Sequence, residues 1–463
     1  MMGTKKFSRR DFLKIAGAAS TVPLVVWGSP VLAENFGNPV AKWKQSRVIT
    51  IATSEGQRSE GIALASDLIL EQTGITVDVQ ASSEWRTRVA ADFVSGGGSF
   101  DAVIAPFLFM KDWFAPGYLA SLQQYVDADA NINIDDFIPA ILTAYNWGQD
   151  EVYSLPFQAD TFLFFYRKDI FEDPDVQAAY LAATGNELVV PQTVEQQLEV
   201  ARYFTRSMNP DSPIDYGFTN WSERAGSIWW WGIRMSALGG GWLDENNHPN
   251  MNNEAGLRSL QDYLAMHEFA PEDVTTYEWD RANTSFLDGR ALMFDEWNSF
   301  GSIAQSSEST SGASTVVGNV GYALPTGYDI DGTIVNRSIL GGWTSAVSSF
   351  SDDVEGAYQV LAQITSRAGE LARVPTDIAP TRQSTYDSLE PTPTTEHYPM
   401  QAQAFGVGTI TADVDAAPIS QQVQDYMATQ ISRVLLGEID PEEALESIDS
   451  EWTNLLQDAG IYG

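Results

Sequence analysis

Between residues 47 and 126, apolar positions recur with two alternating periods. Val48-Ile49-Thr50-Ile51 reads as a strand, and Ile62, Ala65, Ile69 and Leu70 then recur at helical spacing until Gly74 stops the run. Ile75, Val77 and Val79 alternate as a second strand. Residues 85–94 suit a helix that ends at Gly96-Gly97-Gly98, and Ala102-Val103-Ile104 is a short buried strand. This strand–helix alternation predicts an α/β fold with a parallel sheet and helices on its faces. Ligands of such sheets lie beyond the carboxyl ends of the strands. Three segments therefore belong on one rim: residues 53–58, the segment around Glu84 and Trp85, and residues 107–113.

Further along, Val152-Tyr153-Ser154-Leu155 is strand-like, Pro156 is expected to break it, and a second apolar run follows over residues 162–166. An acid at the join, Asp160, suits a chain that leaves one sheet and enters another. Residues 190–300 read as mostly helical. Thr193 and Gln196 form a capping box, residues 228–238 a helix closed by glycines, and Leu257, Leu260, Tyr263 and Leu264 another helix. Residues 285–293 read as a helix end, a turn and a strand. Residues 305–315, rich in Ser, Thr and Gly, read as a mobile loop. Ser351 is expected to cap a helix with Asp352, Asp353 and Glu355 in its first turn. Asp440-Pro441 should start the last helix.

Tyr153, Pro156, Asp160, residues 162–165, Tyr166 and Asp169 together resemble the first interdomain crossover of extracellular solute-binding proteins, family 1, the carbohydrate-binding proteins of ABC transporters. The run Phe286 to Met293, residues 321–325, the second crossover at Ile339-Leu340-Gly341-Gly342-Trp343 and a third near residues 380–386 are similar to the same family, in order. The resemblance implies a two-lobe periplasmic-binding-protein fold (type II-like), each lobe a sheet flanked by helices, with the ligand cleft between. Lobe 1 would comprise 34–155 and 341–385, and lobe 2 would comprise 156–340 and 386–463. It implies a sugar, oligosaccharide or polyol as ligand, ABC permease membrane subunits as partners, and a monomer that closes by hinge motion.

The N-terminus adds an address. Ser8-Arg9-Arg10-Asp11-Phe12-Leu13-Lys14 matches the twin-arginine signal, so the twin-arginine export machinery is an expected partner. The apolar stretch 15–27 is shorter than the ~20 residues a membrane span needs, and Gly17, Pro23 and Gly28 interrupt or flank it. Val31-Leu32-Ala33 offers a cleavage site, which makes 1–33 a signal peptide and the location periplasmic or extracytoplasmic. The chain has no cysteine, which excludes disulfides, thiolate metal sites, a cysteine nucleophile and a lipid-anchored cysteine. Its net charge is −36, and cleavage would remove five cations and one acid. A surface so rich in Asp and Glu suits either a high-salt environment or an ordinary acidic exported protein. Nucleic acid is excluded as a partner, since binding phosphates needs a basic face.

The 14 Trp and 17 Tyr of the chain suit a sugar site, which needs flat apolar platforms beside carboxylates, amides and Arg. Trp229-Trp230-Trp231 is the densest cluster. On a helix these residues point ~100° apart, so at most two share a face. Trp230 stands as the candidate, with core packing as the alternative for each. Trp297, with Glu296 before it, falls where the family places a cleft-facing aromatic. Trp343 follows Gly341 and Gly342, whose lack of a side chain would let backbone approach a ligand. Asp160 matches an acidic ligand contact of the family or is a solvated hinge acid. Glu84, Trp85 and Phe107 lie on the expected rim. Arg382 is a ligand donor or a hinge salt bridge.

No enzyme is expected. The three histidines are far apart, and no nucleophile elbow, phosphate loop or dinucleotide fingerprint occurs. No metal or cofactor is implied, because the paired acids Asp135-Asp136 and Asp352-Asp353 suit helix starts. A secreted glycoside hydrolase, or a binding protein for a non-sugar solute such as glycerol phosphate, are the alternatives; the second would require a basic cleft.

Overall fold

The first strand, β1 (Val48–Thr53), pairs in parallel with β2 (Thr76–Ala81) on one side and β3 (Ala102–Pro106) on the other. The helices Gln57–Thr73 and Trp85–Ser95 connect them, so the expected alternation is realised. Gly74 and Gly96 take left-handed C-caps, at φ 71° and φ 63°, where other residues would be strained. This computed structural model describes residues 47–114, 116–147, 149–307, 313–407, 409–411 and 419–461. The signal segment 1–33 and part of the loop expected at 305–315 lie outside the described residues.

Two long strands carry the architecture. β4 (Ser154–Arg167) is antiparallel to β6 (Ala291–Trp297) and β7 (Val320–Ala323) through its second half. β5 (Tyr216–Thr219) lies in parallel beside β6. β8 (Tyr328–Ile330) and β9 (Thr333–Val335) form a separate hairpin. The other long strand, β10 (Ser338–Val347), pairs with β3 and with the first half of β4. Its opening residues pair with β11 (Thr409–Thr411). The strand order is β2-β1-β3-β10-β4-β6-β5. One hydrophobic core gathers Ile49, Ile51, Ile104, Leu155, Phe157, Val347, Leu361 and Ile378. The largest gathers residues 162–165 with Trp230, Trp231, Phe286, Phe294, Ile431 and Trp452. The chain thus builds two α/β lobes, and β4 and β10 run through both.

Pro156 does not break β4. The register between β4 and β10 shifts at Trp343/Thr344, pairing Trp343 with Gln158 and Thr344 with Pro156, so one extra residue is absorbed at the proline. A bulge is where a strand tolerates a missing N–H. Ser351 does not cap the following helix. Asp353 does, accepting the Gly356 N–H at 3.0 Å, while Ser351 accepts the Asp353 N–H and donates to Asp101. The capping box at Thr193 and Gln196 is present. Asp440 occupies the N-cap of helix Pro441–Asp458, but its side chain makes no capping hydrogen bond.

Candidate functional site

A cleft of about 790 Å³ opens where β4 and β10 cross. Its floor is set by strand pairing. Gln158 and Asp160 lie two residues apart on β4, so they share a face, and their partners Trp343 and Gly341 share it too. Gln158 Nε2 donates to Asp160 Oδ1 at 2.9 Å, and Arg58 Nε donates to Gln158 Oε1 at 3.1 Å. The Arg58 guanidinium lies 4.2 Å from the centre of the Trp343 ring. Trp343, Arg58, Gln158 and Asp160 form one continuous chain. Burial pushes the Asp160 carboxyl up, opposed by Arg58 and the Gln158 hydrogen bond. Burial also lowers Arg58, opposed by Asp160.

The two glycines line the cleft and also make room for close packing. A Cβ on Gly341 would meet the Trp297 ring at 2.6 Å, so the missing side chain is what lets that indole cross the strand. Gly342 has φ 121°, and a Cβ there would collide with the Tyr145 hydroxyl. That hydroxyl lies 2.8 Å from the Gln158 carbonyl and 2.6 Å from the Gly341 carbonyl, pinning the crossover.

One wall comes from lobe 1, through the turn after β1 (Gly56, Gln57, Arg58, Glu60), the residues after β3 (Leu108, Phe109) and Pro375, Thr376 and Asp377. Asp377 is held left-handed at φ 60°. Its carboxyl is pushed up by burial, against a hydrogen bond with Ser302 of lobe 2. The facing wall is aromatic: Trp221, Trp229, Trp279 and Trp297. Trp297 packs edge-on against Phe162 and Trp229, with ring centres 4.6 and 6.1 Å apart. The indole nitrogens of Trp221 and Trp229 are buried without a protein partner.

Asp160, Trp297, Gly341, Gly342 and Trp343 thus come together in the cleft. Other expected residues do not. Trp230 is fully buried, stacked on Tyr263 at 5.0 Å with Arg234 over its ring; its neighbour Trp229, one step around the helix, reaches the cleft instead. Phe107 is core, stacked on Tyr145 at 4.6 Å, because the cleft-facing side of its helix presents Leu108 and Phe109. Glu84 is exposed at the start of helix Trp85–Ser95, outside the cleft lining. Trp85 supports from behind, 5.7 Å from Trp343. Arg382 is buried, lies over Phe137 at 3.8 Å, and bonds the Thr365 and Asn133 carbonyls and Asp136, so it is a structural bridge. Glu296 lies fully buried behind Trp297. Among the cleft residues that the sequence reading did not single out are Gln158, Trp221, Trp279 and Asp377. Arg58 and Phe109 lay within rim segments without being picked out.

Two lobes around a crossover, with a polar floor and an aromatic wall, define a two-lobe solute-binding protein. The chain belongs to the bacterial extracellular solute-binding protein family, whose model matches residues 57–370. Among curated relatives, the mannitol-binding protein of Pseudomonas aeruginosa is 23% identical over 61% of this chain and 60% of its own. A probable amino-acid ABC transporter periplasmic-binding protein of Sinorhizobium fredii is 22% identical, covering 72% of each chain. Among solved structures, maltose-bound MalE3 of T. maritima superposes with a TM-score of 0.70 at 23% identity, covering 88% of this chain and 99% of its own. A solute-binding protein of Agrobacterium vitis with bound D-mannitol gives 0.70 at 21% identity, over 89% and 99%. No helix among the described residues is long and apolar enough to cross a membrane.

Proposed function

We propose that this protein is the substrate-binding component of an ABC importer and captures a neutral sugar, oligosaccharide or polyol outside the cytoplasmic membrane. The observation that carries the reading is the cleft itself, four tryptophans facing the Arg58–Gln158–Asp160 chain. Indole faces suit the C–H faces of a polyhydroxylated solute. The amide, carboxylate and guanidinium groups suit its hydroxyls. The buried, unpartnered indole nitrogens of Trp221 and Trp229 suit acceptor oxygens on such a ligand. The relatives named as binding mannitol and maltose support the same class.

Of the described residues lining the cleft, Arg58 is the one cation, against Glu60, Asp160 and Asp377. That balance disfavours a phosphorylated solute such as glycerol phosphate. The lobes are taken as 34–155 with 341–385, and 156–340 with 386–463, the ligand-binding residues being Asp160, Trp297, Gly341, Gly342 and Trp343 together with Arg58 and Gln158. Export through the twin-arginine pathway, delivery to two permease subunits and a monomeric state complete the reading.

Incubation of the purified protein with D-mannitol, maltose and longer maltodextrins, followed by calorimetry and chromatography of the sugars, tests it. The reading requires saturable binding with every sugar recovered intact. Cleaved products would establish the hydrolase alternative.

A further inference from the structure

We propose that Glu296 is a positioning residue for the cleft, holding Trp297 and Trp279 in the aromatic wall through a carboxyl group that must keep its proton for the wall to stay closed. Glu296 is fully buried and does not itself line the cleft. Its Oε1 accepts the Trp297 N–H at 2.7 Å, and the Trp279 indole lies against the same carboxyl group. One carboxyl group therefore ties the end of β6 to the start of helix Trp279–Leu287, the two places from which these cleft tryptophans spring. Its other oxygen, Oε2, is buried with no partner. A carboxylate would leave that oxygen charged and bare.

The surroundings offer an ionised Glu296 no compensation. Its chain neighbour Asp295 adds like charge. Arg234, from helix Ser227–Ala237, is committed to Asp295 at 2.8 Å. Helix Trp279–Leu287 turns Asp280 and Arg281 to solvent, and β4 places Leu163 opposite Glu296. Burial first, then Asp295, pushes the carboxyl up to about 8 against its two hydrogen bonds. Near neutral pH the protonated acid is the stable form. Above that range the buried charge needs water or another donor, and admitting one disturbs the packing of the wall at Trp279 and Trp297. A solute that excludes more water from the wall favours the protonated form further, so capture takes up a proton as pH rises.

The test uses wild type, Glu296→Gln and Trp279→Phe. Glutamine keeps an acceptor for both N–H groups and cannot ionise. Tryptophan emission is followed from about pH 6 to about pH 10 with no ligand added. The proposal expects a sigmoidal change centred near pH 8 in wild type, absent in Glu296→Gln and reduced in Trp279→Phe. With D-mannitol as probe, wild-type affinity should fall about fivefold or more between pH ~7 and ~9, while Glu296→Gln keeps near-wild-type affinity at pH ~7 and changes less than about twofold. A Glu296→Gln protein that shows the wild-type transition, or a wild type with none, overturns the proposal. The binding arm rests on the reading given above. If wild type ignores D-mannitol at neutral pH, the loss falls on D-mannitol as a ligand of this cleft, and the emission titration decides the role of Glu296.

Discussion

Trp343 looks like a platform in the sequence, and in the structure its ring is already engaged by two neighbours. Arg58 lies over one side at 4.2 Å, and Trp85 packs against it at 5.7 Å. Part of its contribution to binding therefore runs through Arg58, whose guanidinium lies over the ring. Trp343→Ala and Arg58→Ala should each weaken binding, and the double variant should lose little more than the worse single one. A double-mutant cycle by calorimetry would then give a coupling of about 1 kcal/mol or more, as expected for residues in direct contact. Additive losses would separate the two residues. The same scale shows where sequence reading stops. That the three consecutive tryptophans could not all face one way followed from helical pitch. Which of them faces the cleft depends on how the helix is rotated against β6, and nothing local encodes that. Phe107 failed for the same reason, one residue from Leu108 and Phe109.

At the scale of elements, most of the fold was legible. The period of apolar positions marked β1 to β3 and their helices, and the glycine stops fell where left-handed caps occur. Pro156 misled because a proline is punctuation only when its neighbours cannot absorb it. The bulge against Thr344 is a property of the pairing between β4 and β10, invisible in either strand alone. Likewise, Gly341 and Gly342 announced close approach, but not what approaches. The structure supplies Trp297 and Tyr145. Gly342→Ala should lower stability by about 2 kcal/mol or more, combining a left-handed backbone with the Tyr145 collision. Urea denaturation would measure it, and a midpoint equal to wild type would mean that the crossover is not pinned there.

For the whole molecule, the charge of −36 sets a separate expectation. Self-repulsion of a compact anion weakens as the Debye length falls from ~10 Å at ~0.1 M salt to ~3 Å at ~1 M. The thermal midpoint should rise over that range of NaCl. A flat or falling midpoint would remove the case for adaptation to high salt, while leaving the cleft untouched.

The central claim, that an aromatic wall and a polar floor capture a neutral polyhydroxylated solute, is met most directly by calorimetric titration of wild type and Trp297→Ala with D-mannitol and maltose. Trp297 ends β6, lines the cleft and occupies the space that Gly341 leaves open. Truncating an aromatic anchor in a desolvated contact costs about 2 kcal/mol or more, roughly 30-fold in dissociation constant. The account predicts one-to-one binding of at least one of these solutes, weakened at least about tenfold in a folded Trp297→Ala protein. Binding that is indifferent to Trp297, or no binding of either solute by wild type, would contradict it.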